Sequence, residues 1–421
     1  MNIAYYTHYF VPEIGAPSAR VYDMAQQWNK QGHQTQVVTC FPNHPTGTLY
    51  PGYTLRLRQH ETLDGIDVHR HLTYITPNKG FLKKTIGHIS YLPAALLLST
   101  PWMSRPDVVI GTSPTFFAAM AAASAGVLTR VPFVMEVRDL WPALIGELGV
   151  IRNLVVLRLL ELLELSLYRQ ARKVITVTES FRQNIIARGI PAEKVYTIPN
   201  GADIEFWKPP DTPSNSTSTS TTLRHRLGLQ GRFVVLYIGA HGISQALGNI
   251  VKSAQHLQDD ERIQFVFVGE GAEKEQLVQQ AKDARLSNIQ FLDPVDKPGV
   301  RDFYVLADLC LVPLRNVPVL KTFIPSKMFE MLAMARPIVA SLAGEAADIL
   351  QKSGAAIVVA PGDSAAIATA IRHLAANPDE AQAMGLRGRQ FVAAYYSRAT
   401  LAARYEVVLQ EAIESYRSQK R

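Results

Sequence analysis

The sequence has only two cysteines in 421 residues, Cys40 and Cys310, each inside a short apolar run, TQVVTC and LCLVPL. Neither has a partner nearby in sequence, which argues against a disulfide framework or a zinc site and fits a reducing compartment. Long hydrophobic runs are also missing. The nearest, Thr85–Ser104, carries no Asp, Glu, Lys or Arg, but His88, Pro93 and Pro101 interrupt it, and its longest apolar run is Ala94–Leu98. That excludes a membrane-spanning helix there. The opening MNIAYYTHYF lacks a basic segment followed by an apolar one, so it reads as a first strand rather than a signal peptide. G-x-S-x-G, H-E-x-x-H, G-x-x-x-x-G-K-[ST] and D-x-D are all absent. Serine-hydrolase, zinc-protease and P-loop chemistry lose their usual signatures with them.

Charge is unevenly distributed. Of the formal +7, residues 1–200 hold +6, so the first half is the half suited to an anionic partner. No run of basic and aromatic residues forms a nucleic-acid platform, and no nucleic-acid partner is expected. Between Asp67 and Asp107 there is no acidic residue, while Arg70, Lys79, Lys83, Lys84 and Arg105 lie there.

What is present is a repeated alternation. NIAYYT, TQVVTC, DVVIGT, PFVMEV, KVITVT and KVYTIPN read as strands in the first half. FVVLYIG, IQFVFVG, NIQFLD, LCLVPL, PIVAS and AAIVVA do so in the second. Each is short and apolar on consecutive positions, as in strands covered on both faces, and helical spacing separates them. This predicts an α/β protein with two Rossmann-like domains. Pro209–Thr222 contains nine Ser or Thr in 14 residues and no large apolar side chain, which reads as a linker or loop. The expected division is therefore residues 1–208, a linker at 209–222, a second domain at 223–396 and a terminal helix at 397–421, with the long helical stretch Asp379–Gln419 returning to the first domain.

In open parallel sheets, ligands sit beyond the carboxyl ends of strands. The most informative such segment is TFIPSKMFEMLAMARPIVAS, Thr322–Ser341. Pro325 is placed to start a helix reaching about Ala335. Its amino end, with Ser326 and Lys327, suits a phosphate. Glu330, one turn deeper, can accept both hydroxyls of a ribose diol. The same residues also suit an ordinary helix with a solvated lysine. Gly239, His241 and Gly242 follow the strand FVVLYIG, and Gly269 and Gly271 follow IQFVFVG; these loops are phosphate-binding candidates or simple turns. In the first half, Gly15, Ala16 and Arg20 form a third such loop, with Ser18 as a candidate helix cap. Arg138, Asp139 and Trp141 form a polar and aromatic group at a strand end, either a substrate contact or a surface ion pair with Glu136, which strand alternation points the same way.

These pieces resemble family 4 of the glycosyltransferases, with the GT-B fold, two Rossmann-like domains facing across a cleft. The most specific piece is IPNGAD, Ile198–Asp203. The glycine-bearing first loop, GHQTQVVT, VGEGAEKEQL, PSKMFEMLAMARPIVAS and GLRGRQFV support it over nearly the whole length. The branch that looks most similar assembles bacterial O-antigen and capsule, including N-acetylfucosamine-type transferases. The resemblance implies retaining transfer from a nucleotide-diphosphate sugar, without metal or other cofactor, with the donor on the second domain and the acceptor on the first. It makes Glu330 the second glutamate of the family's E-x7-E pair, on the ribose; the first falls at Thr322. The family's usual Arg and Lys after the first strand of the second domain are also missing from GAHGISQAL. Lys327, Arg20 or Arg138 must then neutralise the leaving diphosphate, and Lys327, Glu330, Arg138 and Asp139 become the catalytic candidates. Alternatives are a non-hydrolysing nucleotide-sugar epimerase of the same architecture, a catalytically silent binding subunit, and a transferase with a soluble acceptor.

The acid-free segment also carries Phe81, Leu82, Ile86, Ile89, Tyr91, Leu92, Leu96, Leu97 and Trp102 among its cations. That mixture suits an anionic membrane surface, and equally a core helix with a solvated basic edge. It predicts a peripheral protein on the cytoplasmic face of the inner membrane, with a polyprenyl-diphosphate-linked sugar as acceptor.

Overall fold

The computed structural model describes residues 1–13, 15–44, 46–76, 81–113, 115–140, 153–210 and 222–420. The chain divides into two compact units, Met1–Pro199 with Arg398–Arg421, and Asn200–Ser397.

The first unit runs β1 (Asn2–Tyr6), α1 (Ala16–Lys30), β2 (Gln34–Cys40), β3 (Arg58–Leu63), β4 (Ile66–His71), α2 (Phe81–Ala94), β5 (Val108–Thr112), α3 (Phe116–Thr129), β6 (Phe133–Val137), α4 (Leu154–Gln170), β7 (Lys173–Thr176), α5 (Glu179–Ala187) and β8 (Val195–Thr197). Its eight strands lie in the order β3-β4-β2-β1-β5-β6-β7-β8. Only β3 pairs antiparallel, with β4. The central strands β5 and β6 are buried at every residue, which is why they read as continuous apolar runs. RQHETL of β3 instead alternates exposed and half-buried; it is a polar edge strand, and the sequence reading missed the β3–β4 hairpin. Helix α3 is nearly all alanine on its inner side because it lies close against the sheet: a Cβ on Gly111 of β5 would sit 2.7 Å from Cβ of Ala122 and 2.8 Å from Cα of Ala119.

The second unit contains β9 (Phe233–Ile238), α6 (Leu247–Gln255), β10 (Ile263–Val268), α7 (Lys274–Asp283), β11 (Ile289–Leu292), α8 (Lys297–Leu306), β12 (Leu309–Pro313), α9 (Lys327–Ala333), β13 (Ile338–Ser341), α10 (Glu345–Ser353), β14 (Ala356–Val359), α11 (Ser364–Ala376) and α12 (Pro378–Tyr395). Its parallel sheet has the order β11-β10-β9-β12-β13-β14. Strand order reverses between β9 and β12, where a doubly wound sheet opens a crevice for a ligand.

The expected terminal helix is two helices. After α12 the chain breaks at Tyr396–Ser397, and α13 (Arg398–Ser418) belongs to the first unit. Leu401, Tyr405, Val408 and Leu409 of α13 join Ile3, Val21 and Trp28 in that unit's core, and Trp28 Nε1 donates to the carbonyl of Ala402 at 3.3 Å. The division also falls earlier than the Ser/Thr tract, at Pro199–Asn200 rather than after residue 208. Ala202 forms a parallel bridge with Ser397, and its N–H donates to the Tyr396 carbonyl at 3.0 Å. IPNGAD therefore marks where the chain leaves the first unit, beside the place where it returns. Most of the tract, 211–221, lies outside the described residues. Among the described residues, no helix is long and apolar enough to cross a membrane.

Candidate active site

At the carboxyl end of β9, two loops interlock through their backbones. Gly239 N donates to the Val268 carbonyl at 3.0 Å, His241 N to the Glu270 carbonyl at 2.9 Å, and Glu273 N to the His241 carbonyl at 2.9 Å. The close approach dictates glycine. A Cβ on Gly269, at φ 143°, would overlap the Gly239 carbonyl, and one on Gly271 would lie 2.5 Å from the His241 carbonyl oxygen. Gly242 is different: its φ of −109° is open to any residue, and it leads into a short turn, Ile243–Gln245. His241 is a correction to the expected phosphate donor. Its ring is wholly buried, stacked on Tyr237 with centroids 5.7 Å apart and flanked by Phe267 and Phe291. Both ring nitrogens lack a partner. Burial, then Lys274, lowers its pKa, so the ring is neutral at neutral pH. Lys274 opens α7 and pairs with Glu270 and Asp293, each at 3.0 Å.

Under the same strand end lies Lys327. Helix α9 is shorter than predicted: it spans Lys327–Ala333, with Pro325 and Ser326 ahead of it. Their carbonyls accept from Met328 and Phe329, both at 3.1 Å. Met328, Phe329, Met331 and Leu332 are fully buried and anchor the helix. Lys327 Nζ donates to the Ile238 carbonyl at 3.2 Å and rests 3.9 Å from the centroid of the Tyr237 ring. A Cβ on Gly239 would meet this nitrogen at 3.3 Å. Burial pushes the Lys327 pKa down to about 7, against the opposing pull of Cys310 and Glu330. One turn on, Glu330 accepts from the Tyr304 hydroxyl at 3.2 Å. Thr322, where the family places its first glutamate, donates its hydroxyl to the Val319 carbonyl at 2.7 Å, closing the turn Pro318–Thr322. The sequence reading thus brought Lys327 and Glu330 together correctly but missed Tyr237 and Tyr304, whose only sequence mark is an aromatic residue within an apolar run.

The first unit holds a second group at the ends of β5 and β6. Glu136 is wholly buried and accepts from Arg20 Nε at 3.0 Å, from Thr112 Oγ1 at 3.2 Å and from the Tyr5 hydroxyl. Burial alone would raise its pKa; Arg20 and then Arg138 outweigh burial and lower it. Arg20 also donates to the carbonyls of Pro199 at 2.8 Å and Ile198 at 2.9 Å. It is fully buried, so it stabilises the interior and does not face a phosphate as expected. Gly15 caps α1, accepting from Ala19 N at 3.0 Å, with Ala16 as the first helical residue. Ser18 is therefore inside the first turn and is not the cap. Arg138 is buried, and its own N–H donates to Ser113 Oγ at 2.9 Å. No surface pair with Glu136 forms, because Arg20 holds that carboxylate. Burial raises the Asp139 pKa to about 6, opposed by Arg138. Trp141 lies outside the described residues.

Two family profiles match this sequence, the glycosyl transferase 4-like domain over residues 15–201 and the glycosyl transferases group 1 domain over residues 232–377. The chain is a family 4 glycosyltransferase. The transferase is 26% identical over 412 residues to WcaI of Escherichia coli (strain K12), named for colanic acid biosynthesis, covering 95% of this chain and 96% of that one. Among solved structures, sucrose-phosphate synthase from Thermosynechococcus elongatus superposes with a TM-score of 0.74 at 15% identity, covering 98% of this chain and 99% of that one. Anabaena HepE in complex with UDP-glucose gives 0.68 at 17% identity, covering 99% and 100%. The fold of this transferase is the GT-B fold, and the epimerase and silent-subunit readings are set aside.

Proposed function

We propose that this transferase moves a sugar from a nucleoside-diphosphate sugar to a lipid-linked acceptor in cell-surface polysaccharide assembly, with retention of anomeric configuration and without a metal ion. The acceptor hydroxyl oxygen bonds to the anomeric carbon, the bond from that carbon to the diphosphate breaks, and the proton leaves with the nucleoside diphosphate. The observation that carries the reading is the pairing of Lys327 and Glu330 on one short helix at the strand-order reversal of the second unit. Lys327 supplies the fixed charge that develops its full value as negative charge builds on the leaving diphosphate. Glu330, oriented by Tyr304, accepts the ribose hydroxyls. The absence of a D-x-D triplet leaves neutralisation to such cations. Retention rests on the family resemblance. The UDP-glucose held by HepE supports a donor of that class, and the colanic acid naming of WcaI supports a polysaccharide product.

A peripheral place on the cytoplasmic membrane face is part of the proposal. Ile86 and Ile89 of α2, and Leu97 and Trp102 beyond it, are exposed, as is Lys83. Tyr91, by contrast, is core, its hydroxyl donating to the Val38 carbonyl at 2.6 Å. Lys79 lies outside the described residues, as do the side chains of Phe81, Leu82 and Lys84. Helix α4, unremarked in the sequence reading, adds exposed Leu154, Val155, Leu159 and Leu162. A thermal-shift series against nucleotide sugars tests the donor, since specific binding raises the melting temperature by mass action. Unchanged turnover of the best donor in EDTA, and an anomeric proton of unchanged configuration in the product, are the expected results. Inhibition by EDTA with rescue by Mg²⁺ would overturn the metal-free step.

A further inference from the structure

The buried cations of the first unit are not equally satisfied. Arg20 has a carboxylate and two carbonyls. Arg138 is only 9% exposed, yet its Nε and Nη1 are buried without any hydrogen-bond partner. An unsatisfied buried guanidinium is costly, and such atoms in a native fold call for a ligand or another compensating role. Burial works against its charge, Glu136 sustains it from a distance, and Arg20 opposes it.

Arg138 also has a second positive feature beside it. Its N–H is fixed on Ser113 Oγ at the end of β5, and the 14-residue helix α3 begins three residues after Ser113, at Phe116. The capping residue Thr115 gives that helix no side-chain cap bond. The positive end of a helix and a guanidinium fork with two empty donors thus occupy one corner of the sheet's carboxyl edge. A fork of this kind matches a planar group with two oxygens, a carboxylate or a phosphate. The +6 carried by residues 1–200 favours such a ligand.

We propose that Arg138 receives an oxyanion borne by the acceptor substrate, either the carboxylate of an acidic sugar or a phosphate of its carrier, held against the start of α3. The proposal rests on the reading above that the first unit takes the acceptor. It makes the acceptor anionic near the reacting hydroxyl and gives Arg138 a role in acceptor choice separate from the donor's diphosphate.

The test is calorimetry on the full chain saturated with UDP, using D-glucuronate, inorganic pyrophosphate and neutral D-glucose as probes. The expected result is that one anion binds and glucose does not; glucuronate identifies an acidic sugar and pyrophosphate a carrier phosphate. Arg138→Gln should weaken that anion by about tenfold or more, Arg138→Lys should restore part of it, and UDP affinity should stay within about twofold. Equal anion binding in Arg138→Gln, glucose binding as tightly as glucuronate, or no anion binding to the native chain overturns the inference. So does a parallel loss of UDP affinity in Arg138→Gln, which would make Arg138 a donor contact. Failure of UDP to bind the native chain contradicts the functional reading instead, and the anion series is then run without it. Should Arg138→Gln not fold, the Arg138 Nε–H resonance of the native chain gives the answer: it must shift on titration with the anion, and an unmoved resonance refutes the site.

Discussion

The carboxyl edges of the two sheets carry charge in opposite ways. In the first unit Arg20 and Glu136 are both wholly buried and in contact, and neither has capacity left for a ligand. In the second, the contacts of Lys327 Nζ are a carbonyl oxygen and an aromatic face, and the group sits near its titration point. A buried cation on a carboxylate is a structural element. A cation lodged on a carbonyl and a ring is held at a cost to the free protein and gains most when a diphosphate arrives.

The largest effect should come from breaking the satisfied pair. Glu136→Ala leaves Arg20 buried without its counter-charge and should cost about 3–5 kcal/mol of stability, read by urea unfolding. A loss below about 1 kcal/mol would mean the pair is solvated and the contrast false. On the other edge, Glu330→Ala should leave the fold intact yet lower kcat/KM by about 10²–10³, equivalent to about 2–4 kcal/mol. Normal kcat/KM in a folded variant would remove the ribose role.

Lys327→Met sharpens the comparison further, because stability and activity should move in opposite directions. The folded pKa, about 7, lies below the unfolded one, so the unfolded chain holds the extra proton between pH 7 and the ordinary lysine range. Stability of the native protein should therefore rise with pH across that window, and the variant should lose this slope. Relief of a buried charge worth about 1 kcal/mol would raise its Tm by about 2–4 °C, while kcat falls more than KM rises. Donor affinity of the native enzyme should run the other way from stability, strongest below pH 7 and weaker above, as the cation is lost. A donor affinity flat from pH 6 to 8 would show that Lys327 stays charged or is not the phosphate contact. The smallest effect concerns the membrane surface. Binding to anionic vesicles should weaken with salt and with Lys79, Lys83 and Lys84 all changed to Glu, each cation contributing about 1 kcal/mol; equal recovery from neutral vesicles would remove the claim.

How far the sequence could be read follows from the range of the interactions involved. The central strands were legible because burial on both faces leaves continuous apolar runs. Lys327 and Glu330 were legible because helical spacing puts them on neighbouring turns. The β3–β4 hairpin was not, since RQHETL spends its side chains on solvent and only its backbone on the sheet. Arg20 was misassigned because its partner lies 116 residues away, and no local pattern reports that. The unit boundary was misplaced because composition marks where nothing can be buried, whereas the chain divides at Pro199–Asn200, where Arg20 grips the preceding carbonyls.

The return of α13 to the first unit has a consequence for synthesis. Chains emerge from the ribosome amino end first, and amino-terminal domains ordinarily finish folding while the rest is being made. Here the groove beside Trp28 and Val21 stays unfilled until Leu401, Tyr405 and Leu409 emerge, after the whole second unit has been translated. The nascent first unit therefore presents an open apolar seam for most of translation, making it the half that a ribosome-associated chaperone would hold. A stop codon shortly before Arg398 should yield a folded second unit tethered to an aggregation-prone first one.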